Sequence, residues 1–281
     1  MIWIINRNRP LDDRILALPY NGGVTGASGW RGPSMKGSAG FLDRLTQDER
    51  MALEPLLRPK TVHRGEILFE QGAEPEWFLL VLRGTMKVCR SSGLGRDVIL
   101  ELLFPGDLCG ALCALDHRPY PVSCVALQDG EILRIPRDEF LALCSRHPGV
   151  LAKAVPDCQE KMRLQRQMLV GMAVERAEQR AARALLLLAE RLGRRTPQGL
   201  LTPMVLDRQE FSEMIGTTVE TAIRVLSRMR KDGILHEEKH HCLVLDEARL
   251  VQIAGLEDET FAPGACREDS PEGTCLGCLA C

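Results

Sequence analysis

Residues 206–235 carry the side chains whose types and spacing best fit contact with double-stranded DNA. Glu220 and Arg224 lie four positions apart in a segment whose apolar residues recur at helical spacing, so both project from one face. In the DNA major groove a glutamate can accept a hydrogen bond from cytosine, and an arginine can bind guanine through two hydrogen bonds. The pair therefore predicts a base-reading helix. A surface ion pair between them, or Glu220 acting only as a helix cap, is the alternative.

Two short helices joined by a tight turn must position this pair. Asp207 and Glu210 have the spacing of a capping box, which starts the first helix. Gly216 falls where the chain must turn, because glycine takes positive backbone angles without steric cost. The second helix is predicted to start at Thr217 or Thr218 and to end at Asp232-Gly233. The residues expected to face inward are Phe211, Met214, Ile215, Ala222, Val225, Leu226 and Met229.

This stretch resembles the helix-turn-helix of a known family. From Leu206 it reads L-x-R-Q-E-F-x-x-x-I-G-x-T-x-E-T-x-x-R-x-L-x-x-M-x-x-x-G-I-L, similar to the family that holds the cyclic-AMP receptor protein and the fumarate-nitrate regulator. The resemblance implies that Glu220 and Arg224 read inner bases of each half-site, and that RNA polymerase is a partner. Ile223 departs from the oxygen-sensing branch, which has serine there. The identity of one outer base of the DNA half-site is therefore not determined. The candidate DNA contacts are Arg208, Thr218, Glu220, Thr221, Arg224 and Arg228.

Residues 61–136 predict an antiparallel barrel or jelly roll, because short apolar runs alternate with glycines. The predicted strands are Trp77–Leu82, Met86–Arg90, Val98–Phe104 and Val122–Leu127. The runs R-G-E-x-L-F-x-Q-G from Arg64 and L-R-G-x-M-K-V from Leu82 resemble the sensor barrel of the same family. The predicted fold class is α+β, with an N-terminal β jelly-roll sensor domain, a long dimerisation helix and a C-terminal winged helix-turn-helix.

Helical patterns flank the barrel. One amphipathic helix is predicted over Phe41–Leu57, with Leu42, Leu45, Met51, Leu53 and Leu56 available for a core. A longer helix over Val150–Val170 carries a near-heptad apolar stripe of Leu151, Val155, Met162 and Leu169, which suits a contact between two subunits. An ordinary core helix is the alternative. A homodimer is expected because a helix-turn-helix that reads a palindrome needs two copies.

The predicted division of the chain follows from these patterns. After the second helix, Ile234–His236 and His241–Leu245 alternate as a two-stranded wing. The hinge between sensor and DNA-binding parts is placed near Gly171. We predict a mobile extension over 1–40, a sensor barrel over 41–147, a dimerisation helix and hinge over 148–172, a winged helix-turn-helix over 173–255 and an acidic, cysteine-rich tail over 256–281.

The barrel lacks part of the nucleotide-binding pattern of its family. Cyclic-nucleotide members hold the phosphate with a Gly-Glu pair and a downstream Arg-Ser or Arg-Thr pair. This chain has Gly106-Asp107, and Arg118 near the second position is followed by Pro119. A buried cyclic phosphate needs a bidentate cation and several hydrogen-bond donors. We therefore expect no cyclic nucleotide; a cyclic-nucleotide-controlled regulator of the same family is the alternative function.

Four cysteines near the end of the sequence are the candidate sensor. Cys266, Cys275, Cys278 and Cys281 follow the pattern C-x8-C-x2-C-x2-C in a segment of glycine, proline and acids that could not build a core. This pattern is closer to iron–sulfur ligation than to paired zinc knuckles. Some oxygen-sensing members of the family ligate a [4Fe-4S] cluster with a C-terminal cysteine group, and the resemblance implies that variant here. Zinc, a thiol switch and an unliganded tail are the alternatives.

Composition excludes several other classes. The net charge is −2, but residues 161–195 hold nine Lys or Arg against three Glu, next to the helix-turn-helix. We find no signal peptide and no long apolar run, and expect a cytoplasmic protein without a membrane partner. The absence of a P-loop, a dinucleotide fingerprint or H-E-x-x-H argues against an enzyme. A redox or electron-transfer protein is the alternative from another class. The remaining cysteines predicted to pack in the core are Cys89, Cys109, Cys113, Cys124, Cys144 and Cys158.

Overall fold

The computed structural model describes residues 40–256, except for 92–96, 111–114, 116–117 and 239–240. The extension predicted before residue 40 and the tail cysteines lie outside the described residues.

Two four-stranded antiparallel sheets form the barrel. In the first sheet the order is β1 (Arg58–Val62), β8 (Gly130–Pro136), β3 (Trp77–Arg83) and β6 (Leu108–Cys109). In the second it is β2 (Ile67–Phe69), β7 (Ser123–Ala126), β4 (Met86–Ser91) and β5 (Asp97–Leu103). Alternate side chains of both sheets, among them Val81, Val88 and Ile132, fill one shared core. The jelly-roll prediction is confirmed, and each of the four predicted strands ends within one residue of an observed strand.

The segment before the barrel differs from its prediction. A 3-10 turn at Phe41–Arg44 is followed by α1 (Gln47–Leu53) and a second 3-10 turn at Glu54–Leu56. The prediction of one continuous helix over Phe41–Leu57 is therefore wrong. The physical reason is a capping box: the Thr46 hydroxyl accepts from the Glu49 backbone N–H at 3.3 Å, while Glu49 accepts from that of Thr46 at 2.7 Å. Met51 is 64% exposed, so its assignment to the core is also wrong.

Two helices follow the barrel, α2 (Arg137–Arg146) and α3 (Pro148–Val174). They cover the outer face of the first sheet, where Phe41, Phe78 and Phe140 are fully buried in a second core. The predicted long helix over Val150–Val170 is confirmed. The observed helix begins at Pro148 and continues one turn beyond Val170, because the backbone becomes extended only at Glu175.

The last third of the described chain is a winged helix-turn-helix. Its elements are α4 (Ala177–Leu192), β9 (Arg194–Thr196), β10 (Gly199–Pro203), α5 (Arg208–Met214), α6 (Val219–Lys231), β11 (Leu235–Glu238), β12 (His241–Val244) and α7 (Glu247–Ala254). The two predicted wing strands are present, but they belong to a four-stranded sheet in the order β11-β12-β10-β9. The sequence pattern predicted the β11-β12 pair of this sheet but not β9 and β10.

The DNA-binding part packs against the outer face of the second barrel sheet. Ile99 and Leu102 of β5 share a core with Leu185 and Leu188 of α4 and with Phe211 of α5. Sensor and DNA-binding parts are therefore joined by apolar burial as well as by the chain itself. Among the described residues, no helix is both long enough and apolar enough to cross a membrane.

Candidate DNA-binding site

The predicted capping box starts the first helix of the motif. The Asp207 carboxylate accepts from the Glu210 backbone N–H at 2.8 Å, and the Asp207 N–H donates to the Glu210 carboxylate at 3.0 Å. Two N–H groups that have no partner inside the helix are thus satisfied. Phe211 and Ile215 point into the core and are almost fully buried, as predicted.

The turn between the two helices is fixed by a glycine and by an arginine from α4. Gly216 has φ of 60°, in the left-handed region that favours glycine. Arg180 donates from Nε to the Ile215 carbonyl at 2.7 Å and from Nη2 to the Gly216 carbonyl at 3.3 Å. The sequence pattern did not identify Arg180. The only sequence feature that points to Arg180 is its place in the basic segment 161–195, next to the helix-turn-helix.

Gly216→Ala is expected to lower the free energy of unfolding by about 1–3 kcal/mol, because a non-glycine residue at this φ is strained. The new Cβ would also overlap the Met172 sulfur of α3. Gly233→Ala is the matched control, since Gly233 has φ of 73° but no atom within 4 Å of the place that an added methyl group would take. Urea unfolding of both variants measures the difference. Equal losses of unfolding free energy in the two variants would show that overlap with Met172 contributes nothing to the effect of Gly216→Ala.

The second helix, α6, presents the predicted contact residues on one face. Thr218 is its N-cap and accepts from the Thr221 N–H at 3.3 Å, so Glu220 is not the capping residue. Ala222, Leu226 and Met229 are buried on the inner face, as predicted. The structure brings three charged candidates together on the exposed side: Glu220, Arg224 and Arg228. In the described part of the chain, no ion pair joins Glu220 to Arg224.

Arg208 occupies a different environment from the other candidates. It lies at the start of α5 and forms a bidentate ion pair with Glu237 of β11, at 2.9 and 3.0 Å. The pair ties the first helix of the motif to the wing. Ile223, the residue that departs from the oxygen-sensing branch, is 45% exposed beside the arginine face.

The cysteine predictions divide into two groups. Cys89, Cys109, Cys124 and Cys144 are buried and Cys158 is half-buried, so their assignment to the core is confirmed. Cys113 and the tail ligands Cys266, Cys275, Cys278 and Cys281 lie outside the described residues. Within the described ranges, no group of three or more His, Cys, Asp or Glu side chains is arranged to hold a metal ion.

Comparison with known proteins identifies the family of this chain. Residues 59–147 match the cyclic nucleotide-binding domain, and residues 179–253 match the Crp-like helix-turn-helix domain. Over 220 residues the chain is 30% identical to the cyclic AMP receptor protein of Thermus thermophilus, covering 78% of this chain and 98% of that protein. The chain belongs to the CRP/FNR family. It is a transcription regulator with a helix-turn-helix for DNA binding, and the resemblance seen in its sequence is confirmed.

The chain is also similar to a second regulator and to a solved structure. The chain is 26% identical over 212 residues to the transcriptional activator protein anr of Pseudomonas aeruginosa, covering 75% of this chain and 86% of that protein. Among solved structures, FixK2 from Bradyrhizobium japonicum superimposes with a TM-score of 0.64 at 19% identity, covering 70% of this chain and 96% of that one. The similarity to FixK2 shows a shared fold only.

Asp107, which follows Gly106 in this CRP/FNR-family barrel, is bound by residues of the same chain. The Asp107 carboxylate accepts from Arg191 Nη2 of α4 at 2.7 and 2.8 Å and from the Phe104 backbone N–H at 2.8 Å. The Arg191 guanidinium also lies 4.9 Å from the centre of the Phe104 ring. The acidic residue that follows Gly106 therefore binds the DNA-binding part of the same chain.

Proposed function

We propose that this protein is a homodimeric, sequence-specific transcription regulator that reads a palindromic DNA site with α6 and responds to a redox signal. The observation that carries the DNA-reading role is the exposed face of Glu220, Arg224 and Arg228 on a helix whose opposite face is buried. The proposed contacts are Arg208, Thr218, Glu220, Thr221, Arg224 and Arg228. The proposed division is a sensor domain at 41–147, a dimer helix and hinge at 148–172 and a DNA-binding domain at 173–255.

An exposed apolar row on α3 supports the homodimer. Val155, Met162 and Leu169 recur every seven residues and are 45%, 45% and 71% exposed. Val170 and Val174 lie further along α3, on a different side of the helix from this row, and are also exposed. A seven-residue apolar repeat on a helix surface is the pattern of a two-stranded coiled coil. The same helix of a partner subunit would cover this row, and the two copies of α6 would then face one DNA duplex.

Selection of bound sequences from a random DNA pool tests this function. The expected product is an inverted repeat whose half-sites lie about one helical turn, roughly 34–36 Å, apart. Leu169→Glu places a charge in the apolar row, so it should give a monomer in sedimentation experiments and lose preference for the repeat. A single unrepeated site, or a dimer unaffected by Leu169→Glu, would contradict the proposed geometry.

A redox signal through Cys266, Cys275, Cys278 and Cys281 is the proposed form of control. Two observations support it: the C-x2-C-x2-C run, which suits iron–sulfur ligation, and the engagement of Asp107 by Arg191 within the protein. An iron–sulfur cluster can shift the equilibrium between DNA-competent and DNA-incompetent states only if it binds these two states with different affinities. Zinc ligation or thiol oxidation at the same cysteines is the alternative chemistry.

Protein purified without oxygen is expected to contain iron and labile sulfide, and to lose both when Cys275, Cys278 and Cys281 are replaced by serine. Metal and sulfide analysis together with the visible absorption spectrum measures this. Zinc without sulfide would favour the alternative site. Absence of any metal under both aerobic and anaerobic purification would contradict ligation by the tail.

Control by a cyclic nucleotide is a second candidate, because residues 59–147 match the cyclic nucleotide-binding domain. Such a ligand would have to displace Arg191 from Asp107. Calorimetric titration with cyclic AMP and cyclic GMP distinguishes redox control from control by a cyclic nucleotide. Binding of either nucleotide would favour control by a cyclic nucleotide.

A further inference from the structure

The long helix α3 leads into the DNA-binding part through a very short connection. α3 ends at Val174 and α4 begins at Ala177, so only Glu175 and Arg176 lie between the two helices. Both of these residues have extended backbone. The Glu175 backbone N–H caps α3 by donating to the Gly171 carbonyl at 2.9 Å. The direction of α4 relative to α3 therefore depends on the backbone angles of this connection and on the side chains that stabilise it.

One side chain contacts both sides of the connection. Arg180, in the first turn of α4, donates from Nη1 to the Glu175 carbonyl at 2.6 Å and to the Gly171 carbonyl at 3.5 Å. The same guanidinium donates from Nε to the Ile215 carbonyl at 2.7 Å and from Nη2 to the Gly216 carbonyl at 3.3 Å. Arg180 thus binds the end of α3 and the end of α5 at the same time.

The place of this guanidinium suits a cation with several donors. The last carbonyls of an α-helix have no partner inside the helix and form the negative end of its dipole. Arg180 meets such carbonyls from two helices, because Gly171 lies in the last turn of α3 and Ile215 directly follows α5. Arginine has five N–H donors on three nitrogens in a rigid plane, whereas lysine has a single nitrogen on a flexible stem. A lysine at position 180 therefore cannot hold both pairs of carbonyls.

A second contact joins the same two parts of the chain. Met172, in the last turn of α3, lies against Gly216, since a Cβ added to Gly216 would lie 2.4 Å from the Met172 sulfur. Thr218, two residues after Gly216, is the N-cap of α6. The start of α6 is therefore two residues from a turn that Arg180 and Met172 hold on the end of α3.

We propose that Arg180 sets the separation of the two copies of α6 in the dimer, and with it the spacing of the DNA half-sites that the protein accepts. This inference rests on the proposed homodimer, in which the two copies of α3 pair. Because Arg180 fixes the start of α6 relative to the end of α3, the pairing of α3 also fixes the distance between the two copies of α6. Half-sites fit only at a matching distance. Arg180 acts through α6 and not on a base, so it is a positioning residue.

Loss of these hydrogen bonds leaves the connection free to turn. Successive base pairs lie roughly 3.4 Å apart along the duplex, so a small movement of α6 admits a repeat that is one base pair too long or too short. Wild-type protein should bind such a repeat about tenfold more weakly than the best one, because DNA or protein has to deform. Arg180→Lys should bind the best repeat about tenfold more weakly than the wild type, because binding then has to order the connection. It should bind all spacings with nearly equal affinity.

Titration of full-length protein with duplexes that differ only in the spacer between the half-sites tests the proposal. The half-sites are those of the selected inverted repeat, and the spacer is shortened or lengthened by one and two base pairs. Arg183→Lys is the matched control, because Arg183 is in the same helix and forms an ion pair with Glu175 at 3.0 Å. The control should keep the spacer preference of the wild type. A loss of affinity in Arg180→Lys that is equal at every spacing would show a merely structural role and overturn the proposal.

Circular dichroism and sedimentation first establish that each variant is a folded dimer. Arg180→Met removes the charge as well and should give the same flat spacer profile. If Arg180→Met does not fold, Arg180→Lys, which keeps the charge, carries the comparison.

Distances between the two subunits, measured by pulsed electron spin resonance, test the same point without DNA. A spin-labelled non-natural amino acid replaces Lys231, an exposed residue at the end of α6 that is not a proposed DNA contact. Wild type and Arg183→Lys should give one narrow distance distribution, and Arg180→Lys a broad one. This result would support the positioning role even if no specific DNA site is found. An equally narrow distribution in Arg180→Lys would overturn it, and the absence of any distance between subunits would overturn the homodimer and this inference together.

Discussion

Arg224→Ala is expected to weaken binding to the specific DNA site by roughly 1–3 kcal/mol and to leave affinity for unrelated DNA nearly unchanged. The guanidinium lies on the exposed face of α6, one turn from Glu220. A bidentate contact with a base contributes only when the right base is present, so its loss removes discrimination. Alanine is a good helix former, and the buried residues Ala222 and Leu226 keep α6 in place.

Fluorescence titration of the selected duplex and of a scrambled duplex, at one salt concentration, measures this change. The salt must be held fixed because phosphate contacts depend strongly on it. Arg230→Ala is the matched control, since Arg230 is an exposed arginine of the same helix that is not a candidate contact. Equal losses on the two duplexes would mean that Arg224 contacts the phosphate backbone and does not read a base.

Features encoded by neighbouring residues could be predicted from the sequence. The Asp207 and Glu210 capping box, the turn at Gly216 and the buried face of α6 all depend on residues a few positions apart. The same holds for the barrel strands, whose apolar runs end at glycines. The break after Leu45 is also predictable, because Thr46 and Glu49 have the same capping-box spacing as Asp207 and Glu210.

Contacts between distant charged residues could not be predicted in this way. Asp107 and Arg191 are 84 positions apart, and Arg64 and Glu210 are 146 apart. A charged residue carries no local pattern that indicates whether it meets solvent, DNA or another domain. The Gly106-Asp107 pair resembles part of a nucleotide-binding pattern, whereas the partner of Asp107 is an arginine from α4.

A cluster of charges holds the first helix of the DNA-binding motif on the barrel. Lys87 of β4 lies 3.3 Å from Glu210 and 3.9 Å from Glu213, and its side chain is only 13% exposed. Arg64 adds an ion pair with Glu210 at 3.2 Å from a more exposed position. Glu210 thus belongs both to the capping box of α5 and to the contact with the sensor domain. The Lys87 ammonium is the largely buried positive charge between two carboxylates.

Lys87→Glu is expected to lower the free energy of unfolding by about 3–5 kcal/mol, because removing one partner of a buried ion pair leaves the other charge uncompensated. The substitution also places three carboxylates together at the interface of β4 and α5. Lys87→Met should lower the free energy of unfolding by less than Lys87→Glu, because it removes the positive charge without adding a negative one. Chemical unfolding followed by circular dichroism measures all three proteins.

The exchange Lys87→Glu with Glu213→Lys tests whether the effect belongs to this contact. Glu213 is the better partner to exchange, because Glu210 must remain an acid to cap α5 through the Asp207 N–H. If the pair fixes the motif on the barrel, the double variant should recover much of the stability that the single variant loses. Additive losses in the double variant would show that the Lys87 and Glu213 side chains do not interact, and that other contacts hold α5 on the barrel.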